Sequence, residues 1–192
     1  LTENCLCELP VAPVSWLPRV SADWKWLAWT SDGRSVRVTE LMTGRDVAEV
    51  AAEDAAPAFS PDGAQLAIPR PEGLLLLTLP GGLLRATEIP ASSLVAWSPD
   101  GLSLASCSGT SVSVCEVASG RKLHGFSGHR GLVCSMAWAP DGRTLAAGCE
   151  DSTIHFWNLA TGRDAFTLPF HTRPFLMAFS RDGRSLIAGG TR

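Results

Sequence analysis

The chain has 192 residues, of which 45% are hydrophobic and 18% charged, and its 16 basic and 19 acidic side chains give a net charge of −3. This length and apolar content are typical of one globular domain with a sizeable core and exclude an intrinsically disordered chain. The slight acidic excess argues against a nucleic acid-binding surface, and no apolar run approaches the roughly 20 residues of a membrane helix.

The first ten residues, LTENCLCELP, lack the basic stretch and the apolar core of a signal peptide, and they do not begin with Met. We therefore expect a cytoplasmic protein and a fragment of a longer gene product. Cys5 and Cys7 form an isolated C-x-C pair without further ligands at zinc spacing, so neither a metal site nor a cofactor is predicted. The remaining cysteines lie in apolar stretches and are expected to be reduced and buried: Cys107, Cys115, Cys134 and Cys149.

A short turn motif recurs along the chain with a period near 40 residues. It reads SPDG at 60–63 and 98–101, APDG at 139–142 and SRDG at 180–183, with a weaker form, SADW, at 21–24. Its aspartates are Asp23, Asp62, Asp100, Asp141 and Asp182. A second marker, TG or a related dipeptide, has the same period and places its glycine at Gly44, Gly82, Gly120 and Gly162. Self-similarity at this period indicates a repeat protein.

Each repeat has the pattern of four short strands. An aromatic residue precedes four of the turns: Phe59, Trp97, Trp138 and Phe179. The turns are followed by apolar segments such as LAIP at 66–69, then by alternating residues such as Val36 and Val38, and a fourth stretch such as RDAFTLPF at 163–170 follows the glycine marker. Short strands joined by turns predict an all-β protein, and four strands per repeat predict a β-propeller in which each repeat is one blade.

Residues 128–163, GHRGLVCSMAWAPDGRTLAAGCEDSTIHFWNLATGR, resemble a WD40 repeat. They contain the opening Gly-His pair, the Asp of the turn before the third strand, and Trp-Asn in place of Trp-Asp. The resemblance implies a propeller blade with a buried structural relay through His129, Asp151 and Trp157, although Ala147 replaces the expected hydroxyl. With the relay interrupted there, we expect blade stability to come mainly from apolar packing between neighbours.

The repeats span about 11–51, 52–89, 90–130, 131–172 and an incomplete 173–192, which together form one domain at 1–192. Four complete blades and part of a fifth predict an incomplete ring, because members of this family mostly have about seven. We expect the ring to be completed by remaining blades of the same longer chain. The alternatives are self-association and an unusually small closed ring.

No catalytic motif is present, so the chain is predicted not to be an enzyme. The four histidines are too evenly spread to suggest a metal cluster. In the family that the repeats resemble, loops on one face commonly bind protein or peptide partners. The candidate rim residues on that face are Arg70, Glu72, Arg130, Glu150, His171 and Arg173. Their mixed charges could confer specificity.

The chain is therefore predicted to be a non-catalytic scaffold for protein–protein interaction, without nucleic acid or membrane partners. Two alternatives stay open: the accessory propeller of a larger enzyme, such as a bacterial protein kinase or a peptidase, and a TolB-like periplasmic propeller. On the opposite face, Arg45, Arg121 and Arg163 follow the glycine marker and are expected to be solvated turn residues.

Overall fold

The computed structural model describes residues 18–30, 33–91 and 93–191, and every regular element within them is a β-strand. The first sheet contains β1 (Arg19–Val20), β2 (Trp26–Thr30), β3 (Ser35–Glu40) and β4 (Arg45–Ala51). The second contains β5 (Ala58–Phe59), β6 (Gln65–Arg70), β7 (Gly73–Thr78) and β8 (Leu83–Ala86). The third contains β9 (Val95–Trp97), β10 (Ser103–Ser108), β11 (Ser111–Glu116) and β12 (Lys122–Phe126). The fourth contains β13 (Val133–Trp138), β14 (Thr144–Cys149), β15 (Thr153–Asn158) and β16 (Arg163–Pro169), and the fifth contains β17 (Arg173–Phe179) and β18 (Leu186–Thr191).

Each four-stranded sheet is an antiparallel meander in which consecutive strands are neighbours. The prediction of an all-β protein built from four-stranded units is thus confirmed, and the sheets are consistent with propeller blades. The described residues form four complete sheets and one two-stranded sheet, without a closed ring. None of the described segments is a helix that could cross a membrane.

The repeated turn motif connects the first and second strands of each sheet through side-chain hydrogen bonds. At the second sheet, the Ser60 hydroxyl donates to Asp62 Oδ1 at 2.5 Å and accepts the Gln65 amide at 2.9 Å. Asp62 Oδ1 also accepts the Ala64 amide at 3.0 Å. The same Ser-Asp pair recurs in the first, third and fifth sheets. In the fourth sheet Ala139 replaces the serine, and Asp141 accepts only the Arg143 amide at 2.9 Å.

The apolar side chains form four core clusters, and each cluster lies between two consecutive sheets. The second sheet illustrates the cause. Leu66 and Ile68 pack against the first sheet, whereas Ala67, which points to the other face of the same strand, packs against the third. Because side chains alternate along a strand, a sheet such as the second is apolar on both faces and is covered by a neighbouring sheet on each.

The first strands of the sheets lie next to one another along the inner edge of the array. Trp97 Nε1 donates to the Ala58 carbonyl at 2.9 Å, and Trp138 Nε1 donates to the Ala96 carbonyl at 3.0 Å. The aromatic residue before the turn therefore links two of these sheets to the preceding one. By contrast, β8 and β16 are exposed along their whole length and form part of the outer edge.

Candidate functional site

The array of sheets has an inner cavity and two faces made of turns and loops. The turns between first and second strands and between third and fourth strands form the first face, here called the hairpin face. The loops between second and third strands, together with the loops that connect consecutive sheets, form the opposite face, here called the loop face. Every candidate rim residue predicted from the sequence belongs to segments of the loop face.

Two ion pairs lie on the loop face. Arg173 Nη1 of the fifth sheet is 3.2 Å from Glu150 Oε1 of the fourth, so this pair bridges two sheets. Arg70 Nε is 3.9 Å from Glu72 Oε2 within one connection, and this nitrogen is buried without a hydrogen-bond partner. Arg130 is exposed between the third and fourth sheets. The loop face therefore presents both signs of charge.

His171 also lies on the loop face, in the connection from β16 to β17, and its side chain is exposed. Its ring is tilted against that of Phe170, with the two centroids 6.3 Å apart. On the hairpin face, Arg45, Arg121 and Arg163 are all exposed at the beginning of or just before fourth strands.

The inner cavity has a volume of about 700 Å³ and is lined by the first strands of all five sheets. Its lining includes Val20, Phe59, Trp97, Met136 and Met177. A common cavity bounded by the innermost strand of each sheet corresponds to the central channel of a propeller.

The residues of the predicted relay make two separate sets of contacts. The ring of His129 meets the Trp157 ring edge-on, with centroids 5.1 Å apart. His129 Nδ1 lies 2.6 Å from the Thr110 carbonyl oxygen, a bond from the fourth sheet's leading loop to the third sheet. Asp151 instead accepts the Thr153 hydroxyl at 2.5 Å and the Thr153 amide at 3.1 Å. These contacts hold the turn before β15 in place.

Two further residues, His155 and Cys149, lie beside His129. The His129 and His155 ring centroids are 4.6 Å apart, and His129, Cys149 and His155 each offer a nitrogen or sulfur atom within 4.8 Å of the other two. The sequence analysis considered the four histidines too evenly spread to suggest a metal cluster, whereas the structure places the rings of these two side by side. Burial raises the pKa of the Cys149 thiol to about 12 and lowers the pKa of His155. Both groups are therefore neutral at pH 7.

The strand register explains why the sequence analysis missed this grouping and which signal could have found it. Ala147 pairs directly with His155 across the fourth sheet. Cys149 follows Ala147 by two residues on β14, and Trp157 follows His155 by two residues on β15. Side chains two residues apart on a strand share one face. Alignment of LAAGC at 145–149 with TIHFW at 153–157 places the Cys149 thiol and the rings of His155 and Trp157 on that face. The approach of His129 to them depends on the loop from the third sheet.

The four cysteines predicted to be reduced and buried are free and buried, as expected: Cys107, Cys115, Cys134 and Cys149. Burial raises the pKa of all four thiols, to about 11 for Cys134. Cys5 and Cys7 lie outside the described residues.

Comparison with known proteins gives one match to a family model and several similar proteins. Residues 120–158 match the WD40 family, described as WD domain, G-beta repeat. The chain is 35% identical over 71 residues to eukaryotic translation initiation factor 3 subunit I of Aspergillus fumigatus, covering 37% of this chain and 21% of that protein. It is 31% identical over 98 residues to the same subunit of Pyricularia oryzae, covering 50% of this chain and 29% of that protein.

The alignments thus span between a fifth and a third of the length of these relatives. Within the chain, the family match covers the fourth-strand segment of the third sheet and the first three strands of the fourth. The other sheets repeat the same meander and the same turn chemistry. Residues 120–158 are thus similar to a WD40 repeat, and the four-stranded sheets are consistent with the blades of a WD40-like β-propeller.

Proposed function

We propose that the chain is a non-catalytic scaffold that binds a protein or peptide segment through its loop face. The relatives are named as subunits of a translation initiation factor, and we assign this chain to an assembly of that kind in the cytoplasm. The alternative, an accessory propeller of a larger enzyme, is less well supported because none of these relatives is named as an enzyme.

The observation that carries the proposal is the pattern of charge on the loop face. Exposed Arg130 and the Glu150–Arg173 pair lie on adjacent connections around the fourth sheet. The pair is partly exposed, so its charges remain available to a partner, and complementary charges on a partner would favour one orientation of docking. An exposed ion pair adds little to the stability of the fold itself. Its residues can therefore be changed without large effects on folding.

The proposal is tested by reversing charges while keeping the internal ion pair. The double variant Glu150→Arg with Arg173→Glu retains an oppositely charged pair between the same two sheets but exchanges the signs that a partner meets. Combined with Arg130→Glu, it is expected to lose partners that the unchanged chain captures in a pull-down from cytoplasmic extract. The matched control is the triple variant Arg45→Glu, Arg121→Glu and Arg163→Glu, which changes exposed charges on the hairpin face.

The scaffold proposal predicts that the control variant keeps the partners that the loop-face variant loses. An unchanged set of partners for the loop-face variant would contradict it, as would loss of partners only from the hairpin-face variant. The melting temperatures of both variants establish that each is folded.

We also propose that the outer surface between the fourth and fifth sheets is covered by further strands of the same fold, from the same polypeptide or a second copy. Support comes from exposed apolar side chains there: Phe166, Leu168 and Ile187. All three border a groove of about 1060 Å³ between the two sheets. In a propeller this surface is the place of the third and fourth strands of the next blade.

A further inference from the structure

We propose that His129, Cys149 and His155 form a binding site for one zinc-class cation, a borderline divalent transition metal ion, at the boundary between the third and fourth sheets. This site is separate from the rim residues of the scaffold proposal, and the inference does not depend on that proposal.

The first argument is the proximity of three ligand atoms. One nitrogen of each imidazole and the Cys149 sulfur all lie within 4.8 Å of one another. Zinc bonds of roughly 2.0–2.1 Å to nitrogen and 2.3 Å to sulfur require tetrahedral ligand atoms to be about 3.3–3.7 Å apart. The three atoms therefore need to approach by about 1 Å, which small side-chain rotations supply. His155 is only partly buried, so packing constrains its ring less than it constrains the buried His129 and Cys149.

The second argument is the hydrogen bonding of His129. Its Nδ1 faces the Thr110 carbonyl oxygen at 2.6 Å, and a carbonyl only accepts, so Nδ1 carries the proton and donates it. This leaves a lone pair on Nε2. The residue is 8% exposed, and Nε2 is buried without any hydrogen-bond partner. A histidine whose Nδ1 donates to a carbonyl and whose buried Nε2 keeps a free lone pair has the arrangement of a metal ligand.

His155 has a similar arrangement. Its Nδ1 lies 3.0 Å from the hydroxyl of Thr167 on β16. When this hydroxyl accepts the Nδ1 proton, Nε2 of His155 also becomes a ligand atom. Thr167 is exposed, and its contact with the ring spans adjacent strands of one sheet. It is therefore a positioning residue that can be replaced without disturbing the core.

The ligand set selects the class of cation. Two imidazoles and a thiolate suit zinc and its borderline neighbours, whereas calcium and magnesium require oxygen ligands. Metal binding replaces the bond between sulfur and its proton by a bond between sulfur and the metal, and the proton leaves to the buffer. With three protein ligands, a fourth position remains for water on the partly exposed side of His155.

The test is a titration of the whole purified chain with Co²⁺, followed by competition with Zn²⁺. We expect one equivalent of cobalt to bind, with a thiolate-to-cobalt charge-transfer band in the near ultraviolet and visible bands of tetrahedral coordination. Zn²⁺ should displace the cobalt stoichiometrically. Cys149→Ala should abolish the charge-transfer band, and His155→Gln should weaken binding about 100-fold or more. Thr167→Val should weaken it about 10-fold, in the range for groups that orient a metal-bound histidine.

Controls separate the site from nonspecific binding. Cys134→Ala removes another buried thiol on the neighbouring strand, and His124→Gln removes a histidine outside the cluster; both should keep the band and the affinity. Because Cys149→Ala changes the core, the melting temperature is also measured with and without Zn²⁺. Zinc should raise it for the unchanged chain and not for His155→Gln, whose substitution is partly exposed.

The proposal is overturned if the unchanged chain gives no thiolate band with equimolar cobalt. It is equally overturned if Cys149→Ala keeps the band, or if Cys134→Ala loses it while Cys149→Ala does not. Equal zinc stabilisation of the unchanged chain and His155→Gln would mean that the rings of His129 and His155 only pack against Trp157.

Discussion

Trp24 occupies the turn position that glycine holds in the later sheets. Its φ is +58°, against +71° for both Gly63 and Gly101. The amide of each of these residues bonds the carbonyl of the serine three positions earlier, at 2.9–3.0 Å. The hydrogen bonds of the turn thus hold a bulky residue in the left-handed region, where a side chain costs about 1–2 kcal/mol.

Replacing Trp24 by Gly is therefore expected to raise the free energy of unfolding by about 1 kcal/mol, because the side chain is 74% exposed and loses little packing. Chemical denaturation measures the change. The reciprocal variant Gly101→Ala should lower stability by a similar amount, because an added Cβ meets its nearest atom at an ordinary 3.7 Å and only the backbone is strained. A destabilised Trp24→Gly variant would show that the tryptophan makes a compensating contact.

Ser98 links the stability of the third sheet to pH through its hydrogen bond to Asp100. Its hydroxyl donates to Asp100 Oδ1 at 2.5 Å and accepts the Ser103 amide at 2.9 Å. The bond from Ser98, followed by that from the Leu102 amide, lowers the pKa of Asp100. A carboxyl with a lowered folded-state pKa stabilises the fold fully above its unfolded pKa of about 3.9, and this contribution disappears as the pH falls through the folded value.

Ser98→Ala is expected to reduce the free energy of unfolding by about 1–2 kcal/mol at pH 7. As the pH falls below about 4 and then through the lowered folded-state pKa of Asp100, the difference from the unchanged chain should shrink, because protonation removes the charge that the Ser98 bond stabilises. Urea denaturation at a series of pH values measures this dependence. A constant difference across the range would mean that the serine acts only through the Ser103 amide. Ala139→Ser, which restores the hydroxyl missing from the fourth sheet, should increase stability.

Among the elements, β17 of the fifth sheet packs closely against β13 and β14 of the fourth. The Ser135 hydroxyl donates to the Pro174 carbonyl oxygen. A Cβ added at Gly148 would lie 2.6 Å from Pro174 Cγ and 2.7 Å from the Pro174 oxygen. Glycine at this position therefore sets the spacing of the fourth and fifth sheets.

Gly148→Ala should lower the free energy of unfolding by about 1–3 kcal/mol, since the added carbon forces the two sheets apart. Gly189→Ala is the matched control. Gly189 occupies the same place in the following repeat, and its added Cβ would meet only Leu176 Cβ, at 3.9 Å. Thermal unfolding distinguishes the two variants, and equal losses would contradict the role of Gly148 as a spacer.

At the same scale, local patterns account for what the sequence could predict. The strands and turns follow from side-chain alternation and from Ser, Asp and Gly at fixed positions, as in SPDG at 60–63, so the blades were predictable. The bond from His129 to Thr110 and the proximity of His129, Cys149 and His155 depend on how two sheets pack. No local pattern encodes that packing, and the resemblance to the family pointed to Asp151, whose carboxylate accepts hydrogen bonds from Thr153.

At the scale of the whole molecule, the groove of about 1060 Å³ between the fourth and fifth sheets leaves apolar side chains of both sheets exposed, among them Phe166 and Ile187. We expect the purified chain to self-associate through it. Phe166→Ser with Ile187→Ser should reduce this association, as measured by sedimentation velocity over a range of concentrations. Leu83→Ser is the control because Leu83 is as exposed as Ile187, at 69%, but lies on the second sheet. Equal effects of the control and the test variant would exclude the groove.

The division of the interior into four separate clusters, one at each boundary between sheets, affects how the molecule loses order. When a terminal sheet detaches, only the apolar cluster that it shares with its neighbour is disrupted. A terminal sheet can therefore unfold while the other sheets stay folded. We therefore expect the array to unfold sheet by sheet and not as a single unit. A partner that binds two neighbouring sheets would stabilise both of them against this local unfolding.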